Sequence, residues 1–172
     1  ENYRYIDKKL LEESDQEWTD KGDEGMPLHC YMNNSKIDSY GGLYNNFAVN
    51  KSGFAPSGWK VPSKSDYTEL LEYLETEVTN ISKSLGASSA WTSSFTNESY
   101  LSLLPGGLRY GGIDAGFENF NQEGYWWTSE PPGTNTSTIF ELHTAMENDT
   151  FKKKAFRLEH KTTGCSVRLI KK

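Results

Sequence analysis

The chain has 172 residues, 35% of them apolar and 13% aromatic, and a formal charge of −6, with an isoelectric point near 5.1. That length suits one domain with a real core. A net negative surface repels phosphate backbones and argues against nucleic acid as a partner, and no apolar run is long enough to span a membrane.

Residues 1–25 are polar and acidic, with Leu10-Leu11 as the obvious aliphatic pair. They read as an arm or short helix lying against a body formed by residues 26–172, one domain overall. Met26 to Asn50 mixes apolar and polar residues without a helical period, so strands and turns are expected. Ser52-Gly53 and Pro56-Ser57-Gly58 are turn signals.

The clearest helix is predicted from about Lys64 to Val78. Ser63 can cap it, with Asp66 completing a capping box. Tyr67, Leu70, Leu71, Leu74 and Val78 form one apolar stripe, while Glu69, Glu72, Glu75 and Glu77 make a solvated acidic face rather than a metal site. Ile81 to Leu85 adds a short turn, and Ala87 to Glu98 is an irregular loop around Trp91 and Phe95. Short strands are then expected around Leu108–Tyr110, Phe117–Phe120, Tyr125–Ser129, Ile139–His143, Ala155–Leu158 and Cys165–Ile170. In the last, Cys165, Val167 and Leu169 share one face and Ser166, Arg168 and Ile170 the other. The fold class is therefore α+β: a loop-rich domain with a twisted antiparallel sheet and one or two short helices.

Four motifs punctuate this pattern: GWKVPS from Gly58, LPGGLR from Leu104, GYWWTSE from Gly124 and GCSVR from Gly164. Each pairs glycine or proline with large side chains that need burial. Trp59, Pro62, Pro105, Gly106, Gly107 and Trp126 are accordingly expected to be structural. Trp126 and Trp127 are adjacent and on a strand point to opposite faces; one is core, and the other is either covered by a loop or exposed to a ligand.

Little in the sequence suggests chemistry. His29, His143 and His160 are not spaced for a metal site, and there is no nucleophile motif or phosphate-cradling glycine loop. Neither catalytic residues, nor a metal, nor a cofactor are expected. Glu130-Pro131-Pro132 followed by Glu147-Asn148-Asp149 imitates the spacing of a calcium-dependent sugar site, but Pro132 offers no side-chain oxygen and Glu147 stands where tryptophan would. Cys30 and Cys165 permit one disulfide, or two buried thiols. The basic run Lys152-Lys153-Lys154 reads as a solvated strand end or turn.

The motifs, in this order, resemble the Fibrobacter succinogenes major paralogous domain of Bacteroidetes and Fibrobacteres. Glu1-Asn2-Tyr3, Cys30-Tyr31, Asn33-Asn34, YGGLYNNFAV from Tyr40 and Ala55 to Pro62 extend the resemblance over nearly the whole chain. The resemblance implies a C-type lectin-like fold, related to that of the formylglycine-generating enzymes, and a structural role for Arg168. It also implies that Ala55 and Leu169 occupy the places of a cysteine pair, so the two should lie close together, buried in the cluster of Trp59. A catalytic reading would need the reactive cysteine pair of the formylglycine-generating enzymes, which the chain lacks.

The function implied is non-enzymatic: an exported module, periplasmic or on the cell surface as an outer-membrane lipoprotein, that binds a glycan or protein without calcium. Contact with the membrane would run only through a lipid anchor outside this chain, and the domain is expected to be monomeric. The expected contact face is the loop-rich C-terminal third, Thr134 to Thr138, Asn148 to Phe151 and Phe156 to His160, with Trp127, Phe140, Asn148, Asp149, Phe151, Phe156 and His160 as ligand-binding residues. The alternatives are a purely structural module of a surface lipoprotein or pilus-like assembly, and a receptor diversified by a retroelement.

Overall fold

A computed structural model describes residues 14–35, 40–143 and 147–172. The expectations on Glu1-Asn2-Tyr3 and Leu10-Leu11 lie outside the described residues. Helix α1 (Asp15–Asp23) starts at Ser14, whose hydroxyl accepts the Glu17 amide. It is polar apart from Trp18, which is wholly buried and donates its indole N–H to the Thr162 carbonyl at 3.0 Å. One ring thus fixes the helix to the body. Trp18 packs with Leu28, Cys30, Met32 and Leu43, around an antiparallel pair of short strands, β1 (His29–Cys30) and β2 (Leu43–Tyr44).

Asn45 starts helix α2 (Asn46–Val49) and is fully buried. Its side-chain oxygen accepts the amides of Leu28 and Ala48, and its amide group donates to the Met26 carbonyl. A single asparagine thereby satisfies three backbone groups that burial would otherwise leave without partners. Strand β3 (Trp59–Lys60) pairs antiparallel with the closing strand β9 (Ile170–Lys171).

Helix α3 (Lys64–Glu77) has the expected capping box between Ser63 and Asp66, and Tyr67, Leu71 and Leu74 are its buried face. The short helix α4 (Ile81–Leu85) packs beside it. Strands β4 (Leu108–Tyr110) and β5 (Gly116–Glu118) form a hairpin. Strands β6 (Gly124–Trp127), β7 (Thr136–Leu142) and β8 (Phe156–His160) form an antiparallel sheet in that order. Helix α5 (Asn148–Lys154) lies between β7 and β8 in the chain.

The three-stranded sheet has a core on each face. Alternation along β6 sends Trp126 to one side and Trp127 to the other. Trp126, Phe140 and Leu142 meet α3, α4 and Phe151 of α5, and Phe140 stacks on Tyr67 with ring centroids 4.2 Å apart. Trp127, Tyr125 and Ile139 meet Val49, Phe54, Val61, Leu108 and Cys165.

The structure is α+β and loop-rich, with differences from the sequence expectation. Five α-helices rather than one or two occur among the described residues, and the strands form four small sheets rather than one. The Lys152 to Lys154 run ends α5, where cations complement the helix C-terminus. The stretch from Cys165 to Ile170 is not one strand: Cys165 and Ser166 bridge Tyr44 and Trp126, and the ladder resumes only at Ile170. Cys165, Val167 and Leu169 do share a face, against the Trp127 cluster.

Candidate functional site

Of the seven residues expected to bind ligand on the C-terminal face, three are interior. Trp127, Phe140 and Phe151 are at most 1% exposed, because β7 runs through the middle of the sheet and both its faces are covered. A ligand cannot reach these rings, and their assignment as binding residues is corrected. Phe156 is half-buried, with the Lys64 ammonium 5.3 Å from its ring centre. Asn148 is occupied: its oxygen accepts the Ile81 amide at 2.8 Å and its nitrogen donates to the Thr79 carbonyl at 3.2 Å. Asp149 and His160 are exposed, and His160 Nδ1 lies 2.8 Å from the Thr162 hydroxyl.

The calcium-like residues are dispersed in the same way. Glu130 Oε1 accepts the Lys64 amide at the start of α3, and Glu147 precedes α5. Among the described residues no cluster of His, Cys, Asp and Glu could hold a metal ion.

Of the residues expected to be structural, Pro62, Pro105, Gly106, Gly107 and Trp126 are buried. The Pro62 carbonyl accepts the Ser129 amide, and that of Pro105 accepts the Asn121 amide. Gly107 has φ +62, and a Cβ there would come within 2.4 Å of the Glu118 carbonyl oxygen. Two assignments are corrected. Trp59 is 38% exposed, because β3 and β9 form an outlying two-stranded ribbon. Arg168 is exposed and makes no hydrogen bond or ion pair with the described residues.

The structural arginine is Arg109, which sequence reasoning passed over. It is fully buried between the rings of Trp18 and Phe117, 4.6 and 4.7 Å from their centres, and its Nη2 lies 3.0 Å from Asp15 Oδ1. Its place at the end of LPGGLR was visible, but the rings that cover it come from distant segments.

A second charged cluster ties β8 to its neighbours. Arg157 Nε lies 2.6 Å from Glu141 Oε2, and its Nη1 lies 3.0 Å from Glu159 Oε2. Its guanidinium stands 5.2 Å from the Tyr125 ring centre. The Tyr125 hydroxyl donates to Glu123 and accepts from Asn119; burial first, and then the Glu123 carboxylate, raise its pKa.

The cysteines lie on opposite sides of β2. Cys30 pairs with Leu43 from one side, and Cys165 pairs with Tyr44 from the other. Two strand spacings of ~4.8 Å put them beyond the ~7 Å reach of a disulfide. Neither is bridged, which selects the buried-thiol alternative. Burial, and secondarily Glu159, raise the Cys165 thiol well above its ordinary value, so it is a poor nucleophile.

A cleft of about 150 Å³ opens beside these elements. It is lined by the Tyr40-Gly41-Gly42 turn with Tyr44, by Ser166 to Leu169, and by Leu103, Leu104 and Trp126. Tyr40 is held by its hydroxyl, which donates to Asn121 Oδ1 at 2.8 Å. Gly41 has φ +76, a conformation glycine adopts freely. A Cβ on Gly42 would come within 3.3 Å of the Tyr44 ring, so the two glycines keep this part of the cleft open. Phe54, the neighbour of Ala55, shares the cleft with Leu169; both Ala55 and Leu169 are half-buried.

The walls of this cleft are thus the YGGLY and SVR segments that carried the resemblance, and comparison with known proteins agrees with it. No curated protein and no solved structure matches the chain. A model of the Fibrobacter succinogenes major domain matches residues 1–171, and the chain therefore belongs to that family.

Proposed function

We propose that this domain is a non-enzymatic binding module of an exported, surface or periplasmic protein, with a C-type lectin-like arrangement, and that its ligand seats in the cleft between the Tyr40-Gly41-Gly42 turn and Ser166 to Leu169. The observation that carries the reading is that the family's own signature residues line an open cleft, while three of the rings expected to bind on the C-terminal face, Trp127, Phe140 and Phe151, are buried in the cores. A cleft walled by aromatic rings and a few polar groups is the usual form of a small-ligand site. The long-range pairing of β9 with β3, and a small antiparallel sheet with helices packed on one face, support the lectin-like arrangement. Burial of Phe140 and Phe151 does not favour a receptor diversified in that third, because core positions tolerate little variation.

The test is an array of glycans and surface proteins probed with the wild type and with Gly42→Leu, which places a side chain in the cleft. Binding by the wild type that is lost in a folded Gly42→Leu supports the reading. Binding that survives the blocked cleft overturns it.

A further inference from the structure

We infer that the cleft recognises a carboxylate on a sugar, so that its ligand is an acidic, hexuronate-bearing glycan; this rests on the cleft being the binding site. The first observation is Arg168. It stands on the cleft wall, exposed, with no anionic partner among the described residues. The protein carries 24 acidic and 18 basic side chains, and the cations Lys60, Lys152, Arg109 and Arg157 all stand against carboxylates. A guanidinium with no carboxylate partner among the described residues has a fork of donors available for an incoming carboxylate.

The second observation is the glycine turn that also lines the cleft. The backbone amides of Gly41 and Gly42 are donated to no described residue. Amides not donated to a described residue and a guanidinium lining the same cleft suit an anion better than a neutral group. The half-buried ring of Tyr44 and the half-buried side chain of Leu104, both lining the cleft, suit the carbon face of a pyranose. The pocket's modest volume fits one sugar ring rather than a folded partner's surface.

The third observation extends the site. Beyond Arg168 the chain runs outward into β9, where Lys171 pairs with Trp59 and its ammonium lies 5.9 Å from the indole centre. Three residues at ~3.3 Å each put this exposed ring ~10 Å along the chain from Arg168. An exposed tryptophan flanked by lysine offers a stacking surface and a second positive charge to a following uronate. A peptide with a free C-terminal carboxylate would use Arg168 but has no use for the flat ring at that distance, which favours the glycan.

The experiment titrates the protein with trigalacturonate, with its methyl ester, and with a short peptide ending in a free carboxylate, using wild type, Arg168→Gln, Trp59→Ala and Gly42→Leu, each shown by thermal melting to be folded. The expected result is binding of trigalacturonate that falls at least tenfold for the methyl ester and for Arg168→Gln, weakens with added salt, and weakens severalfold in Trp59→Ala. Wild type that does not bind trigalacturonate, or binds acid and ester alike, overturns the inference. So does tighter binding of the peptide. A ligand lost in Gly42→Leu but indifferent to Arg168→Gln overturns the acidic assignment while leaving the cleft as the site, and a ligand retained by Gly42→Leu removes the cleft itself.

Discussion

Replacing Asp66 by Asn should destabilise the domain by about 1–2 kcal/mol at neutral pH and remove part of its sensitivity to acid. Asp66 accepts the Ser63 amide at 2.7 Å in the capping box and receives the Lys60 ammonium at 2.7 and 2.8 Å. These contacts, led by the bond from Lys60, hold its carboxyl at about 2 instead of 3.8. At about 1.36 kcal/mol per pKa unit the full difference would approach 2.5 kcal/mol. The Asp66 side chain is 24% exposed and that of Lys60 40%, so solvent screening reduces it. The folded pKa is depressed, so the stabilisation is present above the unfolded value near 4 and is lost as pH falls towards 2. Urea denaturation of both proteins at pH 7, 4 and 2 measures this. The gap between them should be largest at pH 7 and should narrow between pH 4 and 2. Equal stability at pH 7, or a gap that does not narrow in acid, would refute the reasoning.

Four further outcomes are expected. Gly124→Ala should lower stability by about 1–3 kcal/mol in urea titration, because a Cβ there would come within 2.3 Å of the Trp126 ring. Trp127→Ala should cost about 3–5 kcal/mol, with any loss of ligand binding tracking the unfolded fraction in circular dichroism. Purified protein should contain two reduced thiols by mass spectrometry after alkylation in denaturant, and a thiol reagent should leave Cys165 unmodified in the native state. Calcium chloride should give no stoichiometric heat in isothermal titration, since Glu130 and Asn148 already accept backbone amides.

What the sequence revealed followed from whether the signal was local. Helix α3 was legible because Ser63, Asp66 and the Tyr67–Leu71–Leu74 stripe lie within one stretch of chain. Helix α5 was not: Asn148 to Lys154 contains one large apolar residue, Phe151, and so has no stripe to read. It forms because Phe151 and Ala155 enter the core and Asn148 reaches across to α4. The candidate site failed for a related reason. Aromatic residues mark both cores and binding faces, and sequence did not tell the exposed Trp59 from the buried Trp127. The choice between Arg109 and Arg168 as the interior arginine depended on Trp18, some ninety residues from Arg109. The cysteines stayed ambiguous until the register across β2 was known. The segments that line the cleft were recognised as motifs, yet nothing in either motif shows that the two line one cleft.

The adjacent tryptophans of β6 also restrict where this domain accepts new sequence. Their rings enter different cores, so a single residue inserted within Gly124 to Trp127 would exchange their destinations and present each pocket with the wrong shape. The turn that follows, Pro131 to Asn135, is exposed throughout and joins β6 to β7 without contributing to either core. A peptide grafted there would extend into solvent from a hairpin whose alignment the two indoles enforce, which makes this turn the natural position for displaying a foreign epitope on the domain.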